Sequence, residues 1–302
     1  HYSKLPPKNI DFKNSGATPA NRAIAKSLNI PAVYMLEKYN YKKFHSNLKA
    51  LGASTLTQNA DHYGLSIILG GAETTLWDLG RMYSGMARSL NHYTNQSSTY
   101  PVKPYHDLNF DFKKSSISTK KEQFAPLNAS SIWFTFKALL DVKRPNEEYY
   151  WENFASSQKI AWKTGTSFGF RDAWAVGITP KYIVAVWVGN ADGEGRTGLV
   201  GSKAAAPILF DIFNTLPYSN EWFEIPYDDL VEAHISLKSG YRCNPDCPDA
   251  VTDFIPITGL KTKVCPYHQN FWLDSTATHQ VHSDCESPSN MVKSTFFVLP
   301  PT

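Results

Sequence analysis

Two short polar runs in this chain carry residue types that could hold an anion and move a proton. One is Trp162-Lys163-Thr164-Gly165-Thr166-Ser167, which follows a short β-rich run and precedes Gly169 and a second such run near Ala173. At a strand edge, the Lys163 ammonium supplies a fixed positive charge for a carboxylate or a neighbouring base. The Thr164 and Thr166 hydroxyls supply donors, and Gly165 lets a ligand backbone come close enough to pair with the strand. The other run is Ser27-Leu28-Asn29, expected on a helix. A serine and an asparagine two apart at a helix end can serve one cleft, Ser27 relaying a proton and Asn29 holding an amide. Each run also has a plainer explanation. Lys-Thr-Gly occurs in ordinary hairpins, and a Ser/Asn pair at a helix end commonly caps it.

The elements that must position these runs follow from periodicity. The spacing predicts a helix over 18–36, with Thr18 capping the turn opened by Pro19, and a second over 41–51 stopped by Gly52. A third is expected over 74–90, capped by Thr74 or Thr75, with Leu76, Leu79, Met82, Tyr83 and Met86 as its apolar stripe. Residues 1–20 read as an extended lead-in and 92–126 as a long surface loop. Helix returns over 129–143. The texture then changes to β-rich runs at 159–163, 173–178 and 182–190, separated by Gly, Pro and Asp turns as in antiparallel hairpins. An apolar helix over 204–216 closes this part. Helices followed by antiparallel strands predict a mixed α/β (α+β) fold. The expected division is a domain over 1–217 and a Cys-containing extension over 218–302.

The chain has 302 residues, enough to bury a substantial core. Its 42% hydrophobic and 19% charged content excludes disorder for most of the length. The net charge of +3 comes with no dense basic block, so no nucleic-acid partner is expected; Lys113-Lys114 and Lys120-Lys121 sit in a polar loop. Aromatics reach 14%, which suits an extended glycan or peptide ligand, or packing alone. No apolar run is long enough to span a bilayer, and no basic-then-apolar leader opens the chain. Starting at His1 without an initiator Met, it reads as a processed or excised form. Cys243, Cys247, Cys265 and Cys285 all lie in the last fifth. An even, clustered set predicts two disulfides and an oxidising compartment. A metal site is the rival, because Cys265-Pro266-Tyr267-His268 and Cys243/Cys247 offer soft ligands at close spacing. The usual zinc-knuckle spacing is absent, so disulfides are the expectation and no metal or cofactor is assigned.

Taken together, the ordered motifs resemble the serine acyltransferases of the penicillin-binding and β-lactamase superfamily. Their signature runs Ser-x-x-Lys, Ser-x-Asn, Lys-Thr-Gly. The class A penicillin-binding proteins are most similar, and among them the 1C branch. Leu69-Gly70-Gly71-Ala72-Glu73-Thr74-Thr75, Phe170-Arg171-Asp172-Ala173-Trp174-Ala175-Val176-Gly177 and Val186-Trp187-Val188-Gly189-Asn190 fit that branch, as does the tail from Cys265-Pro266-Tyr267-His268 through Cys285-Glu286-Ser287-Pro288 to Phe297-Val298-Leu299-Pro300-Pro301. The resemblance implies the transpeptidase fold and a D,D-transpeptidase activity, in which a serine attacks the D-Ala–D-Ala end of a peptidoglycan stem peptide and an amine resolves the acyl-enzyme. It implies β-lactams as trapping mimics, a periplasmic location at the inner membrane through a missing N-terminal anchor, and an upstream glycosyltransferase domain. Residue by residue, Ser27 and Asn29 match the relay and amide-holding positions, Lys163 the cationic one, and Thr164, Gly165 and Thr166 the substrate-binding ones. The Thr166 N–H is implied in an oxyanion hole.

One motif breaks the pattern. Only 26 residues precede Ser27, and none forms Ser-x-x-Lys. Ser46-Asn47-Leu48-Lys49, Ser118-Thr119-Lys120-Lys121 and Ser156-Ser157-Gln158-Lys159 match by type, but each falls on the wrong side of Ser-x-Asn. The nucleophile segment, with the first strands and central helix of the domain, is therefore expected before residue 1, and this chain alone is expected to be inactive. The alternatives are a non-catalytic module that binds peptidoglycan or a partner, and a D,D-carboxypeptidase or β-lactamase of the same fold.

Overall fold

The computed structural model describes residues 9, 16, 18–109, 125–145 and 158–299. The middle of the expected 92–126 loop, most of the lead-in, Ser118–Lys121 and Ser156 lie outside the described residues. The chain divides into two compact units, 1–226 and 227–302. The division falls nine residues later than the sequence suggested. Trp222 and Phe223 account for the difference, since both pack on the core of the first unit.

In the first unit an antiparallel sheet of order β1-β2-β3 is built from β1 (Ala161–Thr166), β2 (Asp172–Ile178) and β3 (Ile183–Gly189). Alternation splits its side chains between two faces. Trp162, Gly177 and Val184 share one face, covered by an apolar helix at Gly201–Thr215. A Cβ on Gly177 would meet Phe213 at 2.6 Å and Leu209 at 3.0 Å, so only glycine lets that helix lie so close. Trp162 donates from its indole to Val142 O at 3.0 Å and meets Phe210 edge-on. Helices at Leu76–Asn95 and Ala129–Leu140 contact the sheet as well, burying Leu90, Ile132 and Phe136 in the same core.

Numbered in chain order, the helices are α1 (Ala20–Ala25), α2 (Asn29–Tyr39), α3 (Tyr41–Leu51), α4 (Ala60–Tyr63), α5 (Leu76–Asn95), α6 (Ala129–Leu140) and α7 (Gly201–Thr215). Helix α3 has the expected bounds, ended by Gly52 at φ +108°. Thr75 caps α5, its hydroxyl accepting from Asp78 N at 3.0 Å. Asp78 itself is buried and accepts from Ser54 N, Ser54 Oγ and Arg81. The single helix expected over 18–36 is two. Pro19, not Thr18, stands at the N-terminus of α1, and the chain turns at Lys26–Leu28 before α2 begins. The break has the hydrogen bonds of a Schellman motif: Ser27 N donates to Ile24 O and Leu28 N to Ala23 O.

The second unit holds two strand pairs that the sequence reading missed, β4 (Leu230–Ser236) with β5 (Ala250–Pro256) and β6 (His268–Leu273) with β7 (Val292–Phe297). Their short Pro- and Cys-interrupted runs leave little period to detect. All four cysteine thiols are free, so the two expected disulfides are not formed. Cys265 is instead buried beside His268.

Candidate active site

The site is assembled by the break between α1 and α2 and by the free edge of β1. Ser27 occupies the left-handed position of the Schellman motif at φ +53°, where glycine is the usual residue. A serine there carries a backbone cost of about 1 kcal/mol, and the hydroxyl it brings is what glycine could not supply. That hydroxyl accepts a hydrogen bond from Lys163 Nζ, although the two residues are 136 positions apart. Asn29 is the first residue of α2 and half-buried, and the neighbouring Ile30 N–H donates to the buried Asn9 Oδ1 at 3.2 Å. The structure thus joins Ser27 to Lys163 directly and places Asn29 two residues along the same turn.

On β1, Ser167 N donates to Asp172 O at 3.0 Å. Given the register, alternation turns the backbone groups of Gly165 and Lys163 toward β2 and those of Thr164 and Thr166 toward the outer edge, where no described strand pairs with them. The Thr164 carbonyl confirms the direction, accepting from Lys163 Nζ at 2.8 Å. Burial pushes the Lys163 ammonium down to about 8.

Thr166 Oγ1 accepts from Gly201 N at 3.0 Å, at the N-terminus of α7, leaving its own proton available to a ligand. Gly201 is required there: a Cβ would meet Gly165 O and Trp174 O, both at 2.6 Å. Gly165 differs, since its nearest neighbour would be Trp174 Cβ at 3.5 Å. Packing within the chain does not demand a glycine at 165. Among the aromatics flanking the motif, Trp162 is core, while Trp174 and Trp187 pair with ring centroids 6.2 Å apart on the Lys163 face. Asp172 accepts from Trp187 Nε1 at 2.8 Å and fixes that ring. Trp187 entered the sequence reading only within the Val186–Asn190 stretch, and Gly201 not at all; a glycine opening a helix gives no composition signal. Of the Ser-x-x-Lys decoys, Ser46 and Lys49 are both exposed on α3, and the described residue of the third, Lys159, is exposed as well.

No family model matches the chain. Among curated proteins it is 31% identical over 210 residues to penicillin-binding protein 1C of Escherichia coli (strain K12), covering 70% of this chain and 24% of that protein. The chain belongs to the penicillin-binding protein family. Penicillin-binding protein 1A of Aquifex aeolicus (strain VF5) is 28% identical over 229 residues, covering 74% of this chain and 30% of the relative. The chain therefore spans about a quarter to a third of the length of these relatives. In fold it matches the crystal structure of penicillin-binding protein 1A from Haemophilus influenzae with a TM-score of 0.62 at 16% identity, over 86% of this chain and 43% of the other. The expected transpeptidase-type architecture, an antiparallel sheet flanked by helices, is the one observed.

Proposed function

We propose that this chain supplies the proton-relay and substrate-holding part of a peptidoglycan D,D-transpeptidase, and that the nucleophilic serine comes from polypeptide outside these residues. The observation that carries the reading is the hydrogen bond from Lys163 to Ser27. In this reading Lys163, with its lowered pKa, and Ser27 pass a proton to the leaving amine and take one from the incoming amine. Asn29 holds the stem-peptide amide, and the Thr166 hydroxyl takes the terminal carboxylate. The peptide lies along the outer edge of β1, where the backbone groups of Thr164 and Thr166 point. β-Lactams would occupy the same place, and the reaction would be extracytoplasmic, on the periplasmic face of the inner membrane. None of the described helices is long and apolar enough to cross a membrane.

Fluorescent penicillin labelling of the longer parent protein and of this chain tests the proposal. The parent should label on a serine of a Ser-x-x-Lys motif outside these residues, and Lys163→Ala or Ser27→Ala should slow labelling by about 100-fold or more. This chain alone should not label. Unchanged labelling of the Lys163→Ala parent would remove the proposed role, and a stoichiometric adduct on a serine of this chain would relocate the nucleophile.

A further inference from the structure

The second unit is thinly packed. Among its described residues the buried ones are Leu230, Ser236, Cys265, His268 and Leu273. Three apolar residues make a small core for a unit of this length, and units so poor in buried carbon are held by disulfides or a metal. The thiols are free, so the case for a metal turns on how they are placed.

Cys247 Sγ, Cys265 Sγ and a ring nitrogen of His268 all lie within 4.8 Å of one another. Among the described residues no other three His, Cys, Asp or Glu side chains meet in this way. Cys265 Sγ is 3.5 Å from His268 Nδ1. A tetrahedral zinc ion, with bonds of about 2.3 Å to sulfur and about 2.0 Å to nitrogen, would hold those two atoms about 3.5 Å apart. Cys243, on the same loop as Cys247, is the candidate for a fourth ligand, although its thiol lies outside that 4.8 Å cluster.

The surroundings orient these side chains. His268 Nε2 is buried without an aligned hydrogen-bond acceptor and lies 3.3 Å from Asp249 Oδ1. Asp249 is itself held, its other oxygen accepting from Lys238 N at 2.8 Å. A carboxylate on the far nitrogen of an imidazole is the usual support for a metal-ligating histidine. Asn244 Nδ2 donates to Cys265 O at 2.9 Å and to His268 O at 3.0 Å, fixing the loop that carries Cys243 and Cys247 against the segment that carries the other two ligands. Cys285, by contrast, is exposed and donates to His282 O at 3.3 Å.

We propose that Cys243, Cys247, Cys265 and His268 form a structural zinc site, with Asp249 positioning His268. Three thiolates and an imidazole around a centre that Cys265 and His268 bury from one side favour zinc over magnesium or calcium, which take oxygen ligands. With four protein ligands the site has no open position for water, so its role is to hold the unit together.

Elemental analysis of the purified chain, after exposure to zinc and dialysis under mild reduction, should find a single zinc per chain. Cobalt substitution of the same unmutated protein should give thiolate charge-transfer absorption and strong tetrahedral d–d bands. Cys285→Ser should keep both signals, whereas Cys243→Ser should alter the cobalt spectrum and release zinc at lower chelator concentration. A chain that takes up no metal would overturn the proposal, as would an intact mass showing two disulfides. An unchanged cobalt spectrum in Cys243→Ser would remove that residue as a ligand.

Discussion

Ser27 Oγ accepts a hydrogen bond from Lys163 Nζ across 136 residues of chain, joining the α1–α2 break to the edge of β1. Its backbone partner in this arrangement is a left-handed turn that a serine adopts at a cost. Ser27→Gly removes the hydroxyl and relieves the turn, while Ser27→Ala removes the hydroxyl and keeps the strain. Urea unfolding should therefore find Ser27→Gly more stable than Ser27→Ala by about 1 kcal/mol. Equal stability would mean that the φ +53° conformation carries no strain.

Lys163 makes stability depend on pH with a definite sign. Its folded pKa of about 8 lies below the unfolded value, so the unfolded state binds the proton more tightly. Keeping the ammonium buried opposes folding below about 8, and this opposition fades as pH rises from there toward the unfolded lysine range. Lys163→Met should gain stability over the parent sequence at pH 7, and the difference should shrink through that alkaline window. A difference independent of pH would show that the Lys163 ammonium is not held down by burial.

The two glycines at the motif should respond oppositely. Gly201→Ala forces a methyl group into two carbonyl oxygens and should cost about 1–3 kcal/mol. Gly165→Ala meets only ordinary contact and should change folding by less than about 1 kcal/mol. In the parent protein that same change should still weaken penicillin acylation, because the methyl group projects beside Trp174 on the face that carries Lys163. Thermal melts and labelling rates separate the two effects.

Asp78 anchors a second, smaller core around Leu36, Leu56 and Ile67 through Ser54 and Arg81. Asp78→Ala leaves the Ser54 amide and hydroxyl without their acceptor, while Arg81 keeps Asp107 and the Gly52 carbonyl, and should cost about 1–3 kcal/mol. Chemical denaturation reads the loss directly.

Much of the sheet and its helices was legible because each element keeps one clean period. Helix α3 ends at a glycine, α5 opens on a threonine cap, and the three strands alternate between turns. The α1–α2 break was not legible, since serine stands where a glycine would have announced the turn. Ser27, Asn29 and the Lys163–Thr166 run were picked out by residue type and order. Spacing could not say that Ser27 and Lys163 touch, because that contact is fixed by the packing of α1 on α6 and of α6 on β1. The even number of cysteines pointed to disulfides, with a metal as the rival; the thiols are free, and only the fold shows Cys265 beside His268 with Asp249 behind it.

The outer edge of β1 has a further consequence. A strand edge left open to receive a peptide is equally open to a strand of another molecule, and open edges are where proteins clump. A lysine in such a strand is a common guard against that, but the Lys163 ammonium is turned onto Ser27 and the Thr164 carbonyl, so its charge serves those contacts rather than the edge.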